Sequence, residues 1–96
     1  MDAAVARFEL HVPVSRSLKA KRAAIRPIVD GLRHRFHLSV AEVDHHGTWQ
    51  RAAIAVAVVA ADHRHVHDVL EEVERFVAAA ADVELLDTTV SWLDAD

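Results

Sequence analysis

LSVAEVDHHGTWQRAAIAVAVVA, running from Leu38 to Ala60, holds two apolar runs around one turn. Leu38–Asp44 reads as a strand, and Arg51–Ala60 as a longer one. His45-His46-Gly47-Thr48 between them has the composition of a hairpin turn, with Gly47 expected to supply the positive φ. Working outward, each strand of this hairpin is flanked by a segment of helical period, and each helix by a further strand.

On the N-terminal side, Ala4–Val12 alternates. Ala6, Phe8, Leu10 and Val12 point one way, while Arg7, Glu9 and His11 point the other, as in a half-buried strand. Pro13 ends it, and Ser15 or Ser17 can cap the helix that follows. Leu18, Ile25, Ile28, Val29, Leu32 and Phe36 form that helix's apolar stripe. Pro27 lies inside it, where it removes a hydrogen bond and crowds the preceding turn, so a kink or break is expected near Ala23–Arg26. On the C-terminal side, Asp62 caps a second helix. Val66, Val69, Leu70, Val73, Phe76, Val77 and Ala80 recur at the spacing of one helical face. Val83–Leu93 is the last strand.

The order is β-α-β-β-α-β, two strand–helix–strand halves. It predicts an α+β fold of the ferredoxin-like plan: one four-stranded antiparallel sheet with two helices on one face. Right-handed crossovers then set the chain directions. They put the start of the first helix at the same end of the sheet as the central hairpin, so Ser15–Arg22 should lie near His45–Arg51.

Ninety-six residues suit one domain, residues 1–96. There is no cysteine, hence no disulfide and no thiolate chemistry. Arg7, Glu9 and His11 interrupt the N-terminal apolar residues, unlike a signal peptide. The longest apolar run, Ala52–Ala61, is about half of what a bilayer span needs. A cytoplasmic location with no membrane partner is the expectation.

Charge is unevenly placed. Arg16, Lys19, Lys21, Arg22, Arg26, Arg33 and Arg35 fall in one stretch whose single acid is Asp30, a local charge of +6. The whole chain carries −4, which leaves −10 for the remainder. A basic segment on an acidic protein points to an anionic partner. A helix N-terminus suits phosphate, and Ser15 and Ser17 add hydroxyls. Trp49, Gln50 and Arg51 of the hairpin are expected to complete a nucleic-acid or anion surface at that end. The alternative is an ordinary solvated helix face. Recognition of RNA on the sheet face is disfavoured, because Arg51–Ala60 contains no aromatic residue.

Strand three carries a second signal. Ile54, Val56 and Val58 should face the helices. Ala53, Ala55, Ala57 and Val59 then lie on the open face, where an apolar strip suggests a homo-oligomer through sheet faces or edges.

Read as a whole, the chain resembles the YlxP-like family of small bacterial proteins of unknown function. The resemblance rests on Ser15-Arg16-Ser17-Leu18-Lys19 with Lys21-Arg22, and on Ser39-Val40-Ala41-Glu42-Val43-Asp44. It continues through Trp49-Gln50-Arg51-Ala52, Val56-Ala57-Val58-Val59 and Glu84-Leu85-Leu86-Asp87. It implies a ferredoxin-like fold. It also implies a genomic neighbourhood of transcription elongation, translation initiation and ribosome maturation, which is association and not mechanism. It implies no catalytic residues.

The histidines invite a metal reading, since His63 and His67 are one turn apart, His34 and His37 are similar and His45 and His46 are adjacent. No carboxylate stands as an obvious third ligand, so no metal or other cofactor is expected. Enzyme motifs are absent as well: there is no Gly-rich phosphate loop and no nucleophile elbow. Glu42 and Asp44, two apart on a strand, are expected to share a face beside His45 and His46. They read as an edge-strand charge guard in preference to an acid–base pair. The leading expectation is a non-enzymatic module that binds structured RNA, ribosomal RNA or a ribosomal particle. The alternatives are a homo-oligomeric module with an acidic protein partner, and a binder of a small phosphorylated ligand at the first helix's N-terminus.

Overall fold

A computed structural model describes residues 1–93. Its elements are β1 (Asp2–His11), α1 (Leu18–His34), β2 (Ser39–Asp44), β3 (Arg51–Ala60), α2 (His63–Ala78) and β4 (Glu84–Trp92). The strands form one antiparallel sheet in the order β2-β3-β1-β4. This is the ferredoxin-like arrangement, with the two longest strands at the centre.

Alternation decides what each strand buries. Ala4, Ala6, Phe8 and Leu10 of β1 and Ala52, Ile54, Val56 and Val58 of β3 are all buried. They meet Ile25, Ile28 and Leu32 of α1 and Val66, Leu70, Val73 and Val77 of α2 in one core. Helix α1 packs over β2, and α2 packs over β1, β3 and β4. Among the described residues, the other face of the sheet carries no helix.

Ser17 is the α1 cap: its Oγ accepts from the Ala20 amide at 3.0 Å. Asp62 does the same for α2 through the His65 amide at 2.9 Å. Pro27 neither breaks α1 nor divides it, and the helix runs continuously through it. The cost is local, because only the hydrogen bond that an amide at 27 would donate to the Ala23 carbonyl is lost.

Between the helices, α1 approaches α2 through Gly31. A Cβ built on Gly31 would collide with the tip of the Phe76 ring. That ring packs edge-on against Phe36 with 5.5 Å between centroids. The Arg35 guanidinium lies 5.3 Å from the Phe36 ring centre and 5.7 Å from that of Phe76.

Two expectations about the hairpin fail. Gly47 does not take a positive φ; His45 does, at 62°. The Asp44 carboxylate accepts from the His45 amide at 2.7 Å and supports that turn. Glu42 and Asp44 do not share a face. A bulge lies between them, so Glu42 pairs with Ile54 and Asp44 with Ala53. The extra residue, Val43, reverses the alternation. Glu42 turns toward the helices, and Asp44 turns to the open face.

Candidate functional site

Helix α1 is built in three strips. Lys21, Ile25, Ile28 and Leu32 are buried. Ala24 and Pro27, with Gly31 in the same angular sector, turn to the α2 side, where Ala24 and Pro27 line a hollow shared with Phe76. The third strip holds Lys19, Arg22, Arg26 and Arg33, spaced as neighbours on one helical face. All four are exposed, as is Arg16 just before the helix. Arg33 donates to the Val40 carbonyl at 3.2 Å, which turns this strip toward the edge strand β2. Among the described residues, Arg16, Lys19, Arg22 and Arg26 form no ion pair, whereas the cations of α2 do.

The expected meeting of the α1 start with the hairpin is present, but the residues that make it face inward. Lys21 is 1% exposed. Its ammonium donates to the carbonyls of His45 at 2.7 Å and Arg51 at 3.2 Å, and it sits 3.4 Å from a Glu42 carboxylate oxygen. Buried against two carbonyls and a carboxylate, the ammonium is out of reach of a ligand. Lys21 therefore leaves the candidate contact surface. The stripe Leu18, Lys21, Ile25, Ile28, Leu32 has helical spacing, and this was the signal that should have placed Lys21 in the core.

Ser15 is likewise buried, and its hydroxyl donates to the Ser17 carbonyl at 3.0 Å. The Ser17 hydroxyl is engaged by the cap. The Gln50 amide donates to the carbonyls of Pro13 at 3.3 Å and Ser15 at 3.2 Å, tying the hairpin to the loop before α1. These three side chains thus organise the end of the molecule: Ser15 and Gln50 spend their donors within the chain, and Ser17 Oγ accepts in the cap. Trp49 is 53% exposed. Arg51 lies on the wrong side of the sheet for α1. Its neighbour Ala52 is buried toward the helices, so alternation puts Arg51 on the open face, where it donates to Glu9 Oε2 at 2.7 Å.

On that open face lies a polar network that the sequence pattern had not assembled. The Arg7 guanidinium donates to Glu9 Oε1 and, at 3.2 Å, to Asp44. His45 Nε2 lies 3.1 Å from Glu9 Oε2. Glu9 thus faces Arg7, Arg51 and His45 together. Hydrogen bonds from Arg7, then from Arg51, hold its carboxyl well below the usual range, at about 2, against a smaller opposing effect of desolvation. The backbone amide of His45, then Arg7, lowers the Asp44 carboxyl. Arg7 and Glu9 at i, i+2 were the available signal, but their partners come from other strands.

The four residues expected at an oligomer interface divide. Ala53 pairs with both Glu9 and Asp44 and is fully buried, and Ala55 is half-buried. The network above covers that end of the strand. Ala57 and Val59 are exposed. As for metals, no cluster of three ligating side chains occurs among the described residues. His63 stacks on Trp92 at 3.9 Å, and His67 lies near Asp68 and Glu71. No helix among the described residues is long and apolar enough to cross a membrane.

Two comparisons agree with this chain's pattern. An uncharacterised protein of Bacillus subtilis (strain 168), YlxP, is 29% identical over 76 residues, covering 79% of this chain and 83% of that protein. The family described as "Protein of unknown function (DUF503)" matches residues 3–90. With nearly the whole β-α-β-β-α-β unit inside that match, the chain belongs to the DUF503 family.

Proposed function

We propose that this protein is a non-enzymatic module that binds structured RNA through the outer strip of α1. The observation that carries the reading is the strip itself: Arg16, Lys19, Arg22 and Arg26 stand exposed and unpaired on a protein of net charge −4. On α2 the exposed arginines are matched, Arg64 by Asp68 and Arg75 by Glu71. A row of unneutralised cations attracts a polyanion, and the release of its counterions supplies affinity. Along a helix, steps of three and four residues advance about 4.5 and 6 Å, close to the repeat of phosphates on one strand. Trp49 offers an aromatic surface beyond the helix start. The site has lost Lys21, Ser15 and Arg51, so contacts should be to phosphates, with little reading of bases.

A small phosphorylated ligand at the α1 N-terminus is less favoured, because Ser15 is buried with its hydroxyl donating to the Ser17 carbonyl, and the Ala20 amide is already taken by Ser17 Oγ. The test is binding to labelled ribosomal RNA fragments across a salt series, with Lys19→Glu/Arg22→Glu beside the wild type and matched thermal melts. Tight binding that weakens steeply with salt, and is lost in the variant at equal stability, supports the reading. Binding no stronger than to a nonspecific duplex sinks it and moves attention to an acidic protein partner.

A further inference from the structure

We propose that the outer edge of β4 accepts an extended basic segment of another protein as a fifth strand, with two of its cationic side chains held against Glu71 and Glu74 of α2. The two edges of the sheet differ. Strand β2 is six residues long and bulged between Glu42 and Asp44. Arg33 donates to the Val40 carbonyl at 3.2 Å, and His46 Nε2 lies 3.2 Å from the Glu42 carbonyl. That edge is short, bent and covered, as guarded edges are. Strand β4 is nine residues long and contains no lysine, arginine or proline. Among the described residues, it pairs only with β1.

Register shows which groups of β4 are open. The Leu93 amide donates to the Ala3 carbonyl at 2.9 Å. Along an antiparallel pair, residues alternate between bonding the partner and facing away from it. Ser91 and Thr89, opposite Val5 and Arg7, therefore bond β1, while the N–H and C=O of Val90 and Thr88 point outward. The side chains of these two residues share a face with their buried partners Ala6 and Phe8, so they lie on the helix side. There they line a cleft of about 250 Å³ with Leu70, Glu71, Glu74 and Trp92. An antiparallel strand bonded to Thr88 and Val90 sets the two residues opposite them, themselves two apart, on that same side. Main-chain bonds then supply affinity, and the cleft selects the side chains at alternate positions.

Charge selects the occupant. The cleft has no lysine or arginine in its lining. Glu71 is met by His67 at 3.6 Å and Arg75 at 3.9 Å, whereas Glu74 forms no ion pair among the described residues. Trp92 adds an aromatic face suited to a cation. Asp87 and Glu84, opposite Glu9 and His11, put acid on the other side of the same edge. A second copy does not supply the complement. Two β4 edges would bring the uncharged Thr88 and Val90 to the cleft and set acid beside acid, and the β2 edge is covered and carries Glu42 and Asp44. This surface is independent of the basic strip, since α1 packs over β2 at the opposite edge.

The experiment titrates the full chain with a short synthetic peptide, capped at both ends, that places two lysines two positions apart among valines and threonines. Binding is followed by calorimetry, and amide exchange by nuclear magnetic resonance. The expected result is saturable binding that slows exchange at Thr88 and Val90. Glu71→Gln/Glu74→Gln, at exposed positions, should weaken it by at least about fivefold with the melt unchanged. The same peptide N-methylated at its two lysines keeps its charge, loses the donors and should not bind. Val90→Pro should also abolish binding, because the amide it removes faces outward and bonds nothing in β1. Should that variant melt early, the N-methylated peptide carries the test by itself. Absence of saturation at millimolar peptide would overturn the proposal, as would equal binding of the N-methylated peptide or indifference to the glutamate variant. A doubling of the 10.6 kDa mass without peptide, with the Thr88 and Val90 amides protected, would overturn it in favour of a second copy.

Discussion

Lys21 and Glu9 show how single residues acquire roles that their neighbours in sequence do not suggest. Lys21 sits among six other basic residues, yet it is the one that faces the core. It clamps the hairpin to α1 through two carbonyls and Glu42. Lys21→Met keeps the apolar stem but leaves those acceptors unpaired, so it should lower stability by about 2–3 kcal/mol, read by chemical denaturation. Hydrogen exchange in the hairpin should accelerate in the same variant. Glu9 makes a different prediction. Its carboxyl titrates at about 2 in the folded chain and near 4.5 when unfolded. A depressed folded-state value means the unfolded chain binds the proton first. The stabilisation is therefore complete above about pH 5 and is lost as pH falls from about 4.5 toward 2. Melts of wild type and Glu9→Gln should differ at neutral pH and converge over that acid window. A constant difference down to pH 2 would remove the linkage.

At the scale of elements, the contact of α1 with α2 depends on Gly31. Alanine is the better helix former by about 1 kcal/mol, so an isolated helix would gain from Gly31→Ala. Here the new methyl meets the Phe76 ring, which Phe36 and Arg35 hold in place. Gly31→Ala should therefore lower stability by about 1–2 kcal/mol, as overpacking does. Thermal melts of Gly31→Ala and of Gly31→Ala/Phe76→Leu provide the check, with the double variant recovering part of the loss. The elements themselves were largely legible. The hydrophobic periods located both helices and all four strands, and Ser17 and Asp62 cap where hydroxyl and carboxylate chemistry predicts. The unbroken course of α1 through Pro27 and the geometry of the hairpin were not legible. The tertiary contacts of Ile25, Ile28 and Leu32 outweigh one missing hydrogen bond, and the bulge at Val43 is a property of the β2–β3 pairing, which a single strand does not contain.

Across the whole molecule, the fold sorts charge onto separate surfaces. The helix layer presents basic α1 toward one edge and the acidic residues of α2 toward the other, while on the open face Arg7 and Arg51 stand among Glu9, Asp44, Glu84 and Asp87. If α1 binds RNA through phosphates, replacing Lys19 and Arg22 should reduce the slope of log affinity against log salt by about 2. That slope, measured by fluorescence anisotropy at several salt concentrations, separates phosphate contact from the binding of a single small anion.

The sequence by itself determined the element order, the core faces of the strands and helices, the caps and the concentration of positive charge. Each of these is written in local period or composition. Only the tertiary structure decided which of those charges are available. Burial of Lys21 under the hairpin, the crossing of Arg51 to the open face and the enclosure of Ala53 all follow from strand register and from one bulge. Register is set by pairing between distant segments, and a one-residue shift exchanges the two faces of a strand. The same reason explains the division of the predicted interface, in which Ala57 and Val59 remain exposed while the network centred on Glu9 covers Ala53.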